Sequence, residues 1–217
     1  MKPILYAHPF ASYCWKVLVA LYENNTAFTY RSLGPEDPAA ATELETLWPL
    51  KKFPVLVEEG RPVIESSIII EYLTLRHPGP VRLIPPEPEA ALEVRFLDRY
   101  FDNYIMTPMS RIVANELRPE ERRDPYGVEE ARVALDKAYR WLDGTIMGRT
   151  WAVGNDFTLA DCAAAPSLFY ADWAHPIGEE FSHVRSYRAR LLARPSVARV
   201  VDEARPFRQF FPLGARS

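Results

Sequence analysis

Residues 53–73 read FPVLVEEGRPVIESSIIIEYL, and the architecture of the chain can be worked outward from how this stretch divides. Val55-Leu56-Val57 is a short strand-like run, Glu58-Glu59-Gly60 breaks it as a hairpin turn would, and Val63-Ile64 begins a second run. After Glu65-Ser66-Ser67, apolar residues at 68, 69, 70, 72 and 73 follow a helical pattern. The spacing predicts a β-hairpin feeding a helix through one acidic residue and two serines. A helix start of this kind offers unpaired N–H groups and partial positive charge to a carboxylate, and Glu65 beside it suits an ammonium. A ligand with an α-amino-acid head would be held at both charges. Pro54 opens the first strand behind Phe53. A cis bond there would turn the Phe53 N–H and C=O outward to pair with an extended ligand. The plainer alternative makes Ser66 or Ser67 an N-cap and Pro54 a trans strand opener.

Upstream, Ile4-Leu5-Tyr6-Ala7 reads as a buried strand and His8-Pro9-Phe10-Ala11 as a loop, since Pro9 disfavours helix at the residue before it. Ser12 is placed as an N-cap for a helix from Tyr13 to about Asn24, with Val17, Leu18, Leu21 and Tyr22 inward. Phe28-Thr29-Tyr30 reads as a second strand, and a short helix is expected over Ala39 to Leu47. Strand, helix, strand, short helix, strand, strand, helix suits a small α/β sandwich with a mixed sheet.

Downstream, PGPVRLIPPEP (78–88) carries five prolines and reads as a stiff linker. The expected division is therefore an α/β domain over 1–79, a linker over 80–88 and an all-helical domain over 89–217. A long helix is expected from Glu89 to about Glu116, kinked at Pro108. A second, Val128 to Met147, carries the stripe Ala131, Leu135, Ala138, Leu142 and Ile146. Thr158-Leu159-Ala160-Asp161 matches a capping box for a nearly all-apolar, central helix, which makes Asp161 a folding residue rather than a catalytic acid. Helices over 182–193 and from 196 to about 203 follow, and Phe207, Phe210 and Phe211 mark a tail aromatic enough to pack.

Composition narrows the function. At 48% hydrophobic and 25% charged residues the chain reads as an ordinary soluble globular protein. A formal net charge of -3 gives no basic footprint for nucleic acid. No run of about 18 apolar residues predicts a membrane span, and the start MKPILYAHPF lacks the apolar core of a signal peptide. Only Cys14 and Cys162 occur, without metal-ligand spacing, which points to a reducing compartment, the cytoplasm. Histidines 8, 77, 175 and 183 form no close cluster, so no metal is expected. Gly-rich phosphate loops, cysteine pairs and HExxH are absent. What remains is a loop meeting a helix N-terminus beside the first strand, where a thiol would be acidified by the helix end and by hydroxyl donors. Ser12 and Tyr6 are the candidate donors. The alternatives are that Ser12 merely caps the helix through the Trp15 amide, and that Tyr6 and Cys14 are buried structural residues.

The segments KPILYAHPFASYCWKVLVAL, FPVLVEEGRPVIESSIIIEYL and WAVGNDFTLADCAAAP, in this order and spacing, resemble the cytosolic glutathione S-transferases, bacterial in type and with a start closest to the serine-type, distantly zeta-like members. The resemblance implies a thioredoxin-like N-terminal domain followed by an all-helical C-terminal domain, α/β plus all-α, usually as a homodimer. It implies glutathione as co-substrate, no metal, and a small hydrophobic electrophile. Pro54 would be the cis proline and Phe53 would offer its backbone to the cysteinyl unit. Glu65 and Ser66 would hold the γ-glutamyl group and Lys51 or Lys52 the glycyl carboxylate. Thr158 and Asp161 match the family's folding box, and the apolar pocket would take in Phe10, Tyr104, Met109 and Phe207. One departure stands out. The usual thiol-activating serine falls on Ala11, with Ser12 one residue later. Ser12 is the expected donor. The implied activity is addition of glutathione to an electrophile in a detoxification role. The alternatives are a glutathione-dependent isomerase or dehalogenase, and a non-catalytic binding protein of the same fold.

Overall fold

The computed structural model describes residues 2–214. Its sheet has the order β2-β1-β3-β4, built from β1 (Ile4–Ala7), β2 (Thr29–Ser32), β3 (Val55–Glu58) and β4 (Arg61–Ile64). β1 runs parallel to β2 and antiparallel to β3, with Leu5 opposite both Tyr30 and Leu56. A parallel pair needs a crossover, which α1 (Ser12–Glu23) supplies. β3 and β4 close through a two-residue turn in which Glu59 (φ 52°) and Gly60 (φ 77°) both take left-handed conformations. That is the turn whose twist matches a hairpin. Glu58, expected to break the strand, instead ends it, because its buried carboxylate accepts the Tyr72 hydroxyl at 2.6 Å and meets His77 Nε2 at 2.7 Å.

α2 (Pro38–Leu47) is capped by Asp37, and α3 (Ser66–Arg76) follows the hairpin. Beyond the proline-rich segment the described chain is helical. α4 (Pro88–Tyr100) passes through a π-helical turn (Phe101–Met106) into α5 (Thr107–Glu116). The expected kink near Pro108 is thus taken up one turn earlier, where widening the helix relieves the clash of the proline ring with the preceding turn. α6 (Pro125–Thr145), α7 (Leu159–Ala174), α8 (Ser182–Ala193) and α9 (Pro195–Ala204) complete it, with a 3-10 turn at Arg205–Phe210. The Ala131–Leu142 stripe of α6 is buried as read.

One core joins the two halves. α1 lies between the sheet and α7, so every residue from Cys14 to Leu21 is buried rather than one face only. α7 is buried along almost its whole length. Its start is held by Asp161, fully buried, whose carboxylate accepts the amides of Thr158 and Ala152 (both 2.8 Å), the Thr158 hydroxyl (3.1 Å) and the Tyr187 hydroxyl (2.6 Å). The cap is therefore also a tie between α7, α8 and the preceding loop.

Candidate functional site

The Phe53–Pro54 peptide bond is cis. It sits just outside the paired strands, since β1–β3 pairing begins with Tyr6 opposite Val55. Phe53 and Pro54 line a cavity of about 350 Å³ together with Glu65 and Ser66 from the start of α3, Tyr13 from α1, Trp48 and Lys52. Arg99, Asp102 and Asn103, from the end of α4 and the π-helical turn, close the other side.

At the helix start the sequence expectation shifts by one residue. Glu65, not a serine, occupies the cap position of α3, at φ 70° and ψ 120°, and its side chain makes no capping bond. A non-glycine residue in that region of the map is strained, and here the strain leaves an exposed carboxylate beside the helix N-terminus. Ser66 is buried against the cavity. Ser67 turns the other way. Its hydroxyl donates to Asp98 Oδ2 (2.7 Å) and accepts from Lys16 Nζ (3.0 Å).

Lys16 is the residue that periodicity did not flag. It lies among the apolar residues of α1 with no exposure, and its ammonium is 2.8 Å from Asp102 Oδ2. Asp98 Oδ1 is also 2.8 Å away, an ion pair without hydrogen-bond alignment. Arg99 bridges the same two carboxylates at 2.7 and 2.6 Å. Two cations and two carboxylates balance, as burial requires. Burial pushes the Asp102 carboxyl up, and Lys16 opposes that shift. With this network neutral, the charges left for a ligand are Glu65 on one side and Lys52 on the other. Lys51 pairs with Glu45 at 2.8 Å and lines an adjoining cavity rather than this one. The Trp48 indole N–H is buried and has no partner among the described residues, which adds a donor that the sequence did not mark.

A second cavity, about 520 Å³, adjoins the first and shares Tyr13, Lys52 and Phe53 with it. Its walls are Phe10 and Ala11 from the loop before α1, Ser12 at the start of α1, Met109 and Val113 from α5, Leu117 just beyond α5, and Phe210 and Phe211 from the tail. Phe10 and Met109 are among these walls, and Tyr104 and Phe207 are not. Tyr104 projects from the π-helical turn toward Tyr100, 58% exposed and 5.3 Å from that ring. The wider turn rotates it off the Met109 face. Phe207 packs edge-on against His8 at 4.9 Å, while Phe210, itself largely exposed, and buried Phe211 are the tail residues that reach the cavity.

Tyr13 stands where the cavities meet, and Ser12 beside it lines the apolar one. Ser12 is the first helical residue, not the cap. Ala11 takes the cap position and the Trp15 amide bonds to the Ala11 carbonyl. The Ser12 hydroxyl has no partner among the described residues, so it is available to a ligand. Tyr6 is not available. Its hydroxyl donates to Glu43 at 2.8 Å, in the small cluster with Leu44 and Val55. Burial pushes the Tyr13 phenol up to about 12, so it remains a donor. Burial also pushes the Cys14 thiol up to about 12, which removes it as a nucleophile. Among the described residues no three His, Cys, Asp or Glu side chains gather as a metal site would need, and no helix is long and apolar enough to cross a membrane.

Comparison with known proteins converges on this arrangement. The family model of the glutathione S-transferase N-terminal domain matches residues 5–81, and that of the C-terminal domain matches 101–195. A probable maleylacetoacetate isomerase of Caenorhabditis elegans is 28% identical over 79% of each chain. A stringent starvation protein A homolog of Coxiella burnetii is 30% identical over 76% of this chain and 74% of its own. A glutathione S-transferase of Methylobacterium radiotolerans, solved as a complex with glutathione sulfonate, is 30% identical, with a TM-score of 0.80 over 93% of this chain and 95% of its own. With both halves matched and a thioredoxin-like sheet domain carrying the cis proline ahead of the helical one, this chain belongs to the glutathione S-transferase family.

Proposed function

We propose that the protein is a glutathione transferase that binds glutathione in the polar cavity and activates its thiol for attack on a small hydrophobic electrophile held in the apolar one. The observation that carries this is the meeting of the two cavities at Tyr13, Lys52 and Phe53, with Ser12 on the wall of the apolar one. In this reading Glu65 takes the γ-glutamyl ammonium, and Ser66 with the α3 N-terminus takes its carboxylate. The Phe53 backbone pairs with the cysteinyl unit, and Lys52 meets the glycyl carboxylate, with Lys51 the poorer candidate because Glu45 holds it. The thiol then falls at the junction, where the Ser12 hydroxyl and the N-terminus of α1 stabilise the thiolate. The mouth of the second cavity, walled by Phe10, Met109, Val113 and the tail phenylalanines, suits an apolar substrate.

The protein works as a homodimer in this account. Ile68 on α3 and Leu92 and Phe96 on α4 are exposed, and a bidentate Arg95–Glu71 pair holds the two helices side by side, so they form one face fitted to a second copy. We place it in the cytoplasm, in a detoxification role, with no metal and no nucleic acid partner. A second reading, glutathione used catalytically by an isomerase or dehalogenase, is favoured by the isomerase relative. Calorimetry with glutathione followed by turnover of 1-chloro-2,4-dinitrobenzene tests the first reading. Glutathione should bind and be consumed in step with product. Product without net loss of glutathione from an isomerisable substrate, with no conjugation of the aryl halide, would favour the second.

A further inference from the structure

The segment with Phe10, Ala11 and Ser12 and the tail with Phe210 and Phe211 both contribute to the wall of the apolar cavity. His8 does not line that cavity, yet it touches both segments. From the loop, the Phe10 amide donates to His8 Nδ1 at 3.1 Å. From the tail, the Phe207 ring packs edge-on against the imidazole, with centroids 4.9 Å apart. Two further bonds hold the loop: the Ala11 amide donates to the His8 carbonyl at 3.0 Å, and the Tyr170 hydroxyl from α7 donates to the Phe10 carbonyl at 2.9 Å. Neither involves the imidazole. An imidazole that accepts at Nδ1 carries its proton on Nε2 and is neutral. A second proton would turn Nδ1 into a donor facing the Phe10 N–H, and that bond would be lost.

We propose that His8 is a positioning residue for the electrophile: its imidazole ties the loop before α1 to the tail and so sets the shape of the apolar cavity, a role that rests on reading that cavity as the electrophile site. Burial holds the His8 ring below its ordinary range and keeps it neutral at neutral pH, and Glu36, from the connection between β2 and α2, partly opposes this. From α1, Cys14 is bonded to the His8 backbone and keeps its thiol proton. From the tail, Arg205 and Arg208, which flank Phe207, are turned to Asp202 and Trp173. A lowered folded pKa means that the tie is complete above the ordinary histidine value, about 6.5, and is lost as pH falls through the lowered one.

Calorimetry with S-methylglutathione and S-hexylglutathione, from about pH 5 to about pH 8, tests this. The two differ in the alkyl chain that would enter the apolar cavity, and neither has a thiol to ionise, so the ratio of their affinities reads that cavity alone. In the wild type the ratio should be level above about pH 6.5 and fall about two- to tenfold below it, as loss of one hydrogen bond implies. His8→Asn, which keeps an acceptor and cannot titrate, should hold the ratio level throughout. His8→Phe, which keeps a ring against Phe207 and has no acceptor, should show the lowered ratio at every pH. A wild-type ratio level down to about pH 5 overturns the proposal. So does a fall in His8→Asn equal to that of the wild type, or a His8→Phe ratio equal to the wild type's at neutral pH. Should His8→Phe fail to fold, wild type against His8→Asn carries the test. Exchange of the Phe10 amide in the ligand-free protein needs no glutathione site. It should be about tenfold or more slower in the wild type than in His8→Phe, and equal rates overturn the tie. Failure of both ligands to bind, with that difference intact, counts against the function proposed above and leaves the tie standing.

Discussion

Replacing Glu65 by glycine should raise stability and lower glutathione affinity in one step. Glu65 holds φ 70° and ψ 120° with no side-chain bond to the α3 N-terminus. A non-glycine residue there costs of order 1–3 kcal/mol. Glycine removes that cost but loses roughly 0.5–1 kcal/mol to the greater freedom of its unfolded chain. The expected balance is about 1 kcal/mol in favour of Glu65→Gly, a rise of roughly 2–4 °C in Tm for a chain of this size. The carboxylate is exposed in the free protein, so the lost charged hydrogen bond to the ligand ammonium is taken at the low end, about 1.5 kcal/mol. That corresponds to about a tenfold rise in Kd. Glu65→Ala separates the two effects, because alanine cannot relieve the backbone and should lose affinity without gaining stability. Calorimetry and thermal melts on both variants suffice. An unchanged glutathione Kd in Glu65→Gly would refute the assignment of the ammonium site. Equal melting of the glycine and alanine variants would refute the strain.

Two further substitutions probe the frame. Asp161→Ala strands two buried amides and two hydroxyls and, at about 1–3 kcal/mol for a buried group left unsatisfied, should cost clearly more than a surface cap, while the protein that still folds binds glutathione normally; a loss near 1 kcal/mol would reduce Asp161 to an ordinary cap. The Tyr72 hydroxyl, and secondarily His77, holds the Glu58 carboxyl below its ordinary range. A depressed folded pKa gives stability that is present above the unfolded value, about 4.3, and lost as pH falls through the folded value. Glu58→Gln should therefore melt lower at pH 7 and show a flatter acid limb below about pH 4.3. A parallel, merely displaced stability–pH curve would contradict this.

Much of the frame was legible because it is written in local signals. Gly60 and the alternating runs gave the hairpin, the proline cluster marked where the helical part begins, and Thr158-Leu159-Ala160-Asp161 announced α7. Boundaries moved by a residue where tertiary bonds outweigh local preference, as at Glu58, drawn into the strand by Tyr72 and His77, and at Ala11, which takes the cap that Ser12 was expected to hold. The Lys16–Asp98–Asp102–Arg99 network was not legible. Each of these residues looks like a surface charge until the fold brings α1 against the π-helical turn, and no sequence pattern announces that turn. Tyr104 and Phe207 lie off the apolar cavity for the same kind of reason: a widened π-helical turn at the one and a tightened 3-10 turn at the other change the face on which a side chain emerges. Tyr13 and Trp48 went unmarked because an aromatic residue beside a cavity has the same local sequence as one in a core.

In the proposed complex the glutathione sulfur lies beside Tyr13 and Ser12 and is ionised there. The ultraviolet absorbance of the bound thiolate, titrated with pH in wild type and Ser12→Ala, reads that directly. A free thiol titrates near 8.5, and a hydroxyl donor with a helix N-terminus should lower the bound midpoint by roughly one to two units. The account predicts a wild-type midpoint near 7, shifted up by about a unit in Ser12→Ala with glutathione affinity within a few-fold. A wild-type midpoint no lower than that of free glutathione would contradict thiol activation at this site, and identical midpoints in the two proteins would take Ser12 out of it.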